Sequence, residues 1–321
     1  MSARTTCVPL LMAMMLAGCG GPRGITTGVT TGVITGVAIQ VASSFPIDSQ
    51  LARAIAPGVT HRTLFAARGP WVVHVLDVRL DRCNTAVAVK GAAGAVGRAK
   101  TSELLLELAR SRAVVGGVNA DFFLFTPPGV PTGLHVSDGR VLTPPSPRPA
   151  FAIDSAGRPH IRFFTVPPVQ QKTFSVDDPA LRTLSLLPFH PREAVGGRPV
   201  LTRDSTILDI VDTEGQAGFA QTRHPRTAVG IAERGTRLLL VLIDGRQPGW
   251  SAGMTLRETA TLMLALGAPE SINLDGGGSS AMVYADPGLK GLWRIANRPS
   301  DPTGERAVGN ALAVVGECRA R

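Results

Sequence analysis

Lysine is scarce in this chain: Lys90, Lys100, Lys172 and Lys290 are the only ones among 33 basic residues, so arginine carries the formal net charge of +9. The arginines are scattered, with no basic run, and the 5% of aromatic residues do not interleave with them. That pattern argues against a nucleic-acid groove, and no nucleic-acid partner is expected. The six histidines lack the spacing of a zinc site and no EF-hand loop occurs, although the Asp and Asn content would admit a structural calcium. The apolar run at residues 8–17 is too short to span a bilayer. What is present is 44% hydrophobic residues in 321, ample for a core.

The N-terminus has a positive Arg4, the apolar run VPLLMAMMLA, and then Leu16-Ala17-Gly18-Cys19. This resembles a bacterial lipobox, which implies loss of residues 1–18, lipidation of Cys19 and a membrane anchor on an exported, periplasmic or outer-membrane lipoprotein. An ordinary secretory signal is the alternative. Residues 19–57 then begin with the repeats of GITTGVTTGVITGV, whose glycine at every fourth position gives no continuous apolar face. They are expected to form a low-complexity Gly/Thr tether, a β-prone segment being the other reading. With Cys7 removed and Cys19 acylated, Cys83 and Cys318 remain, either as a disulfide tying the first strand to the last or as two separate buried thiols.

The folded domain is expected over residues 58–321. Residues 71–80 have strand character and 101–112 read as a helix with Thr101 as N-cap and Glu103 in the first turn. Residues 113–118 form a buried strand, proline-rich 126–149 should be largely loop, and a hairpin turns at Ser155-Ala156-Gly157. Strands at 227–232 and 237–243 form a second hairpin. A helix opens with the capping box Thr255-x-x-Glu258 and stops at Gly267, before strands at 271–275 and 310–317. The class is α+β, a mixed and largely antiparallel sheet core with a few packed helices in a single domain.

The stretch SINLDGGGSSAM, residues 271–282, stands out. No Lys-Ser/Thr follows its glycines, as a P-loop needs, and it contains no Gly-x-Ser-x-Gly elbow. Apolar neighbours on both sides confine the backbone, so Gly276, Gly277 and Gly278 can take positive φ and bring N–H groups close to a bound anion. Asp275 and Asn273 share a face, and Ser279 and Ser280 add hydroxyls. A plain turn capped by Asp275 is the bland alternative. Asn119 and Asp121 likewise end an apolar strand, Asp244 and Arg246 end another, and Arg226 opens a third. Loops converging on one rim would join carboxylates to guanidiniums, suiting an anionic substrate with a polyol end.

Three segments, HPRTAVGI (224–231), residues 240–282 and NRPSDPTGERAVGNALAVV (297–315), resemble in order and spacing the phosphodiester glycosidase family. GVNADFF (117–123) and AVGGRPVLTRDSTI (194–207) are similar to further segments of it, apart from Ser205, where glycine is usual. NLDGGGSS is the most specific part. The resemblance implies hydrolysis of a sugar-1-phosphodiester between the anomeric carbon and its oxygen, on envelope or extracellular glycans, with no cofactor required. Phosphate leaves readily, so positive charge on it matters more than acid assistance. Arg226, with Arg246 or Arg306, would supply that charge, and Asp275, then Asp121 and Asp244, would act at the anomeric carbon. Thr227 lies in a matching segment with the substrate-binding candidates. Asp244 as a strand-ending turn, Arg306 as a structural ion pair, and Phe122 and Phe123 as core are the competing readings. Other functions remain open: a non-catalytic lipoprotein binding anionic glycan, or a glycosidase acting on neutral glycosides.

Overall fold

The computed structural model describes residues 45–81, 83–89, 91, 97–164, 191–209, 218–289 and 291–317. The signal, Cys19 and most of the tether lie outside these residues, as does Cys318; Cys83 is disulfide-bonded. Described residues all fall within one compact unit, Ile39–Arg321.

The first elements are β1 (Ser49–Ala56), β2 (Val59–Ala66), β3 (Trp71–Arg79), β4 (Thr85–Val89), β5 (Ala99–Lys100), α1 (Thr101–Leu108) and β6 (Val114–Asn119). Next come β7 (His135–Ser137), β8 (Arg140–Thr143), β9 (Pro149–Asp154), β10 (Pro159–Phe163), β11 (Pro191–Gly196), β12 (Val200–Arg203) and β13 (Thr206–Ile207). The last are β14 (Arg226–Ala232), β15 (Arg237–Ile243), α2 (Leu256–Ala265), β16 (Glu270–Asn273), β17 (Met282–Ala285), β18 (Trp293–Ile295), β19 (Ala307–Val308) and β20 (Ala311–Val315). An eight-stranded sheet runs β1-β2-β3-β15-β14-β16-β12-β13; two five-stranded sheets run β10-β9-β11-β7-β8 and β18-β17-β6-β20-β4, and β19 pairs with β5. Every strand ladder among the described residues is antiparallel. The largely antiparallel core is as expected, but with two α-helices described the fold is more β-dominated than the α+β class expected.

Burial on both faces explains the unbroken apolar run of β15. Leu238, Leu240 and Leu242 join the central core with Val118, Phe151 and Leu312 from the smaller sheets, while Leu239, Val241 and Ile243 pack under α2 with Leu262 and Met263. The capping box of α2 forms as expected, Thr255 Oγ1 accepting from Glu258 N–H at 3.1 Å and Glu258 Oε2 from Thr255 N–H at 2.9 Å.

Four local expectations are corrected. Strand β1 lies inside the segment read as tether; it is an exposed edge strand held by pairing with β2 and by Arg53–Asp286 at 2.8 Å, so it carries little apolar signal. The N-cap of α1 is Lys100, whose N–H donates to Glu103 Oε2 at 2.9 Å, and the helix stops at Leu108. The proline-rich segment contains β7 and β8, of three and four residues, too short to show alternation. Strand β16 ends at Asn273, leaving Asp275 just beyond it. Ser205 takes φ 63° beside Asp204 at φ 49°, so this turn keeps left-handed geometry without the usual glycine.

Candidate functional site

The ends of β6 and β16, from different sheets, meet at residues 119–121 and 273–280. The Asp275 N–H donates to the Ala120 carbonyl at 2.9 Å, and Asn119 Nδ2 donates to the Asp275 carbonyl at 2.7 Å. Asn119 Oδ1 accepts from Thr227 Oγ1 at 2.9 Å and from Ala281 N–H at 3.1 Å. Asn119 and Thr227 are fully buried, and Ser280 nearly so, with its hydroxyl 3.3 Å from Thr227 Oγ1. These three, expected to bind substrate, form the polar rivet between the sheets. Asn273, also fully buried, braces a loop by donating from Nδ2 to the Arg198 carbonyl at 2.7 Å.

The rivet puts two carboxylates together. Asp121 is buried; Oδ2 accepts the Gly133 N–H at 2.7 Å and Oδ1 has no partner. A side chain at Gly196 would collide with that carboxylate and one at Gly133 with the Gly196 backbone, which accounts for both glycines. Burial pushes Asp121 up to about 7, against the Gly133 N–H and Arg148, and the neighbouring Asp275 adds to the rise. Asp275 is partly exposed. Burial pushes it up to about 6, while Ser279, the Gly276 N–H, Arg306 and Arg198 favour its ionised form. Beyond that approach to Asp275, the buried Ser279 hydroxyl has no partner.

Each glycine of the bend has its own reason. Gly276 packs on the Pro225 carbonyl, Gly277 sits at φ 61° beneath the Arg246 guanidinium, and Gly278 lies against the Asp301–Arg306 pair. Gly276 donates to Asp275 and Gly277 to Pro225 at 2.9 Å, so these two N–H groups serve the fold, contrary to the expectation that they would meet a bound anion.

Arg246 is exposed, Nε donating to His224 Nδ1 at 3.3 Å. Burial, Arg226 and Arg246 hold His224 down at about 4, so its neutral ring accepts that bond. Arg306 grips Asp301 with two bonds of 2.8 and 3.0 Å, the ion pair that had been the competing reading, yet it still favours ionisation of Asp275.

Two expected site residues are buried and hold neighbouring groups in place. Arg226 is 1% exposed; Nε donates to the Met254 carbonyl at 2.9 Å and Nη2 to the Phe219 and Thr222 carbonyls at 2.7 and 2.8 Å. Burial, with Arg246 adding, lowers it to about 10. Through Nε and Nη2 it clamps the loop backbone. Asp244, equally buried, accepts from Trp250 Nε1 at 2.8 Å and the Arg298 N–H at 3.0 Å, with His74 Nε2 at 3.4 Å from Oδ2. Its carboxylate is fully engaged in holding the rim, the strand-ending reading.

Sequence reasoning passed over Arg198, Arg148 and Asp301. Arg198 and Asp301 lie within the segments that carry the resemblance; Arg148 carried no signal inside the proline-rich stretch. Arg198 stacks over Phe122 at 4.9 Å, and Phe122 meets Phe219 edge-on at 6.1 Å, so Phe122 is half-buried rim and not core. Gly249-Trp250-Ser251-Ala252-Gly253 spells the elbow pattern outside the glycine bend, but Ser251 is fully buried and donates to the Asp244 carbonyl at 2.6 Å. Among the described residues no cluster of His, Cys, Asp or Glu is arranged to hold a metal ion, and no helix is long and apolar enough to cross a membrane.

A carboxylate pair of raised proton affinity beside a rim of guanidiniums is equipment for hydrolysis of glycosidic bonds. The chain is a glycosidase-type hydrolase. It belongs to the phosphodiester glycosidase family, whose sequence profile matches residues 112–315, more than half of its length. No curated protein matches it. Among solved structures it is similar to a hypothetical protein from Synechocystis at 17% identity, TM-score 0.60, over 84% of this chain and 64% of that one. It is also similar to the zebrafish N-acetylglucosamine-1-phosphodiester alpha-N-acetylglucosaminidase catalytic domain auto-inhibited by its pro-peptide, at 20% identity and TM-score 0.56, over 87% of this chain and 94% of that one. These likenesses establish a shared fold.

Proposed function

We propose that the protein hydrolyses sugar-1-phosphodiesters of envelope or extracellular glycans, exported and anchored through a lipid on Cys19. Water adds at the anomeric carbon, the bond from that carbon to the phosphate oxygen breaks, and free sugar leaves with a phosphate monoester. Asp275 acts at the anomeric carbon, its ionised form favoured by Ser279 and the Gly276 N–H. Asp121 behind it shares the proton balance of the pair. Arg246, exposed above Gly277, meets the departing phosphate, with Arg306 and Arg198 adding positive potential. The observation carrying this reading is the meeting of Asp121 and Asp275 beside a guanidinium rim.

The experiment is a panel of sugar-1-phosphodiesters with purified protein, assayed for free sugar and phosphomonoester together. Equal release of both supports the reading. Binding without turnover, or faster cleavage of neutral glycosides, would overturn it.

A further inference from the structure

At the other end of the strands of the eight-stranded sheet a cavity of about 430 Å³ opens between β10, the β12–β13 turn, the β14–β15 turn and the start of β16. Arg162, Arg203 and Arg234 reach it from three separate elements, beside the carboxylates Asp204 and Glu270, in a mainly polar lining. Both turns are left-handed: Asp204, Ser205, Glu233 and Arg234 have φ between 47° and 63°, and they are four of the six non-glycine residues with positive φ among those described. Paired left-handed residues are the geometry of tight hairpin turns, and here those turns carry Asp204 and Arg234 to the cavity.

We propose that this cavity is a second binding site, for a phosphorylated saccharide. Guanidiniums fork onto phosphate oxygens, and carboxylates accept hydrogen bonds from sugar hydroxyls. The identity of the ligand rests on the phosphodiester-glycan reading above. The seven residues of β14 separate this cavity from the glycine bend, about 20 Å at the rise of a strand. A single sugar phosphate cannot touch both, whereas a glycan of several phosphodiester-linked units can. The cavity therefore acts as an anchor that holds a long substrate while its end is cut.

The test is calorimetric titration of glucose 1-phosphate into the full chain carrying Asp275→Asn, which binds without turning over. Two binding events are expected, and one after adding Arg203→Gln and Arg234→Gln. Arg234→Gln alone, on an exposed turn, should weaken the second event fivefold or more and leave thermal unfolding unchanged. In the active protein the double substitution should leave kcat and KM for a monomeric sugar-1-phosphodiester within twofold and raise KM for a polymeric one at least fivefold. Binding in the parent, whether one event or two, that the Arg203 and Arg234 substitutions leave undisturbed would overturn the anchor, whereas a single event that they abolish would keep the anchor and count against the active site. The binding count needs no turnover, so an inactive protein would reject the hydrolase reading and leave this result standing.

Discussion

Asp121 and Asp275 lie side by side through the 2.9 Å bond from the Asp275 N–H to the Ala120 carbonyl, although 154 residues separate them in the chain and their strands belong to different sheets. Asp275 has the solvent access and Asp121 the burial. Asp275→Asn should cut kcat about 10²–10⁴-fold, the range for loss of a positioned acid or base. It should leave the melting temperature unchanged or raised at pH 8, because an ionisable group is removed from a partly dry site. Sugar release and thermal unfolding measured on one preparation check both halves.

Stability should fall between pH 4 and pH 7. Asp121 at about 7 and Asp275 at about 6 keep protons in the folded state that the unfolded chain has already lost near its ordinary value of 3.8. Glu193, raised to about 7 mainly by burial, acts in the same direction. With the folded state binding more protons across this window, unfolding becomes easier as pH rises, and the full deficit is present above pH 7. For Asp121 alone it is on the order of 4 kcal/mol. Below pH 4 the trend reverses, as Asp154 and Asp286, both held near 2, lose their ion pairs. Urea unfolding at pH 5 and pH 8 should favour pH 5, and Asp121→Asn should shrink the difference.

Arg226 and Arg246 should separate stability from catalysis. Arg226→Ala leaves the Met254, Phe219 and Thr222 carbonyls without their donor in a buried loop, and should cost about 3–5 kcal/mol. Arg226→Lys cannot replace the fork and should rescue little. Arg246→Ala removes an exposed group and should change stability by less than about 0.5 kcal/mol. Its kcat/KM on phosphodiesters should still drop about 10²-fold. The reverse pattern would restore Arg226 to the phosphate and dismiss Arg246.

Legibility in the sequence followed burial and locality. The β14–β15 hairpin and the cap of α2 were readable because their signals are local: a turn between two apolar runs, and a Thr paired with a Glu three residues on. The edge strand β1 was hidden because its support comes from a neighbour's backbone and from Asp286, far along the chain. At the site, the Asp-Gly-Gly-Gly run announced a confined bend, and each glycine proved to have a separate steric cause. The division of labour among polar residues was not readable. Asn119, Thr227, Arg226 and Asp244 end or open strands as Asp275 follows one, and only their partners show that they fasten the rim. Arg198 was hidden because its influence on Asp275 depends on two loops folded together from distant sequence.

Asp244 supplies the last contrast, since the sequence suggested catalysis and the structure a brace. Asp244→Ala strands the Trp250 indole N–H and the Arg298 N–H in a buried place, and should cost about 2–4 kcal/mol. Asp244→Asn keeps one oxygen for the Arg298 N–H but turns an amide donor toward Trp250, so it should lose less than the alanine variant without matching wild type. If Asp244 only braces the rim, kcat per folded molecule should stay within about tenfold of wild type in the Asn variant, well short of the loss a catalytic carboxylate would produce. Rates normalised to the folded fraction, measured below the melting transition, decide the matter. A thousandfold loss with unchanged melting would place Asp244 among the reacting groups.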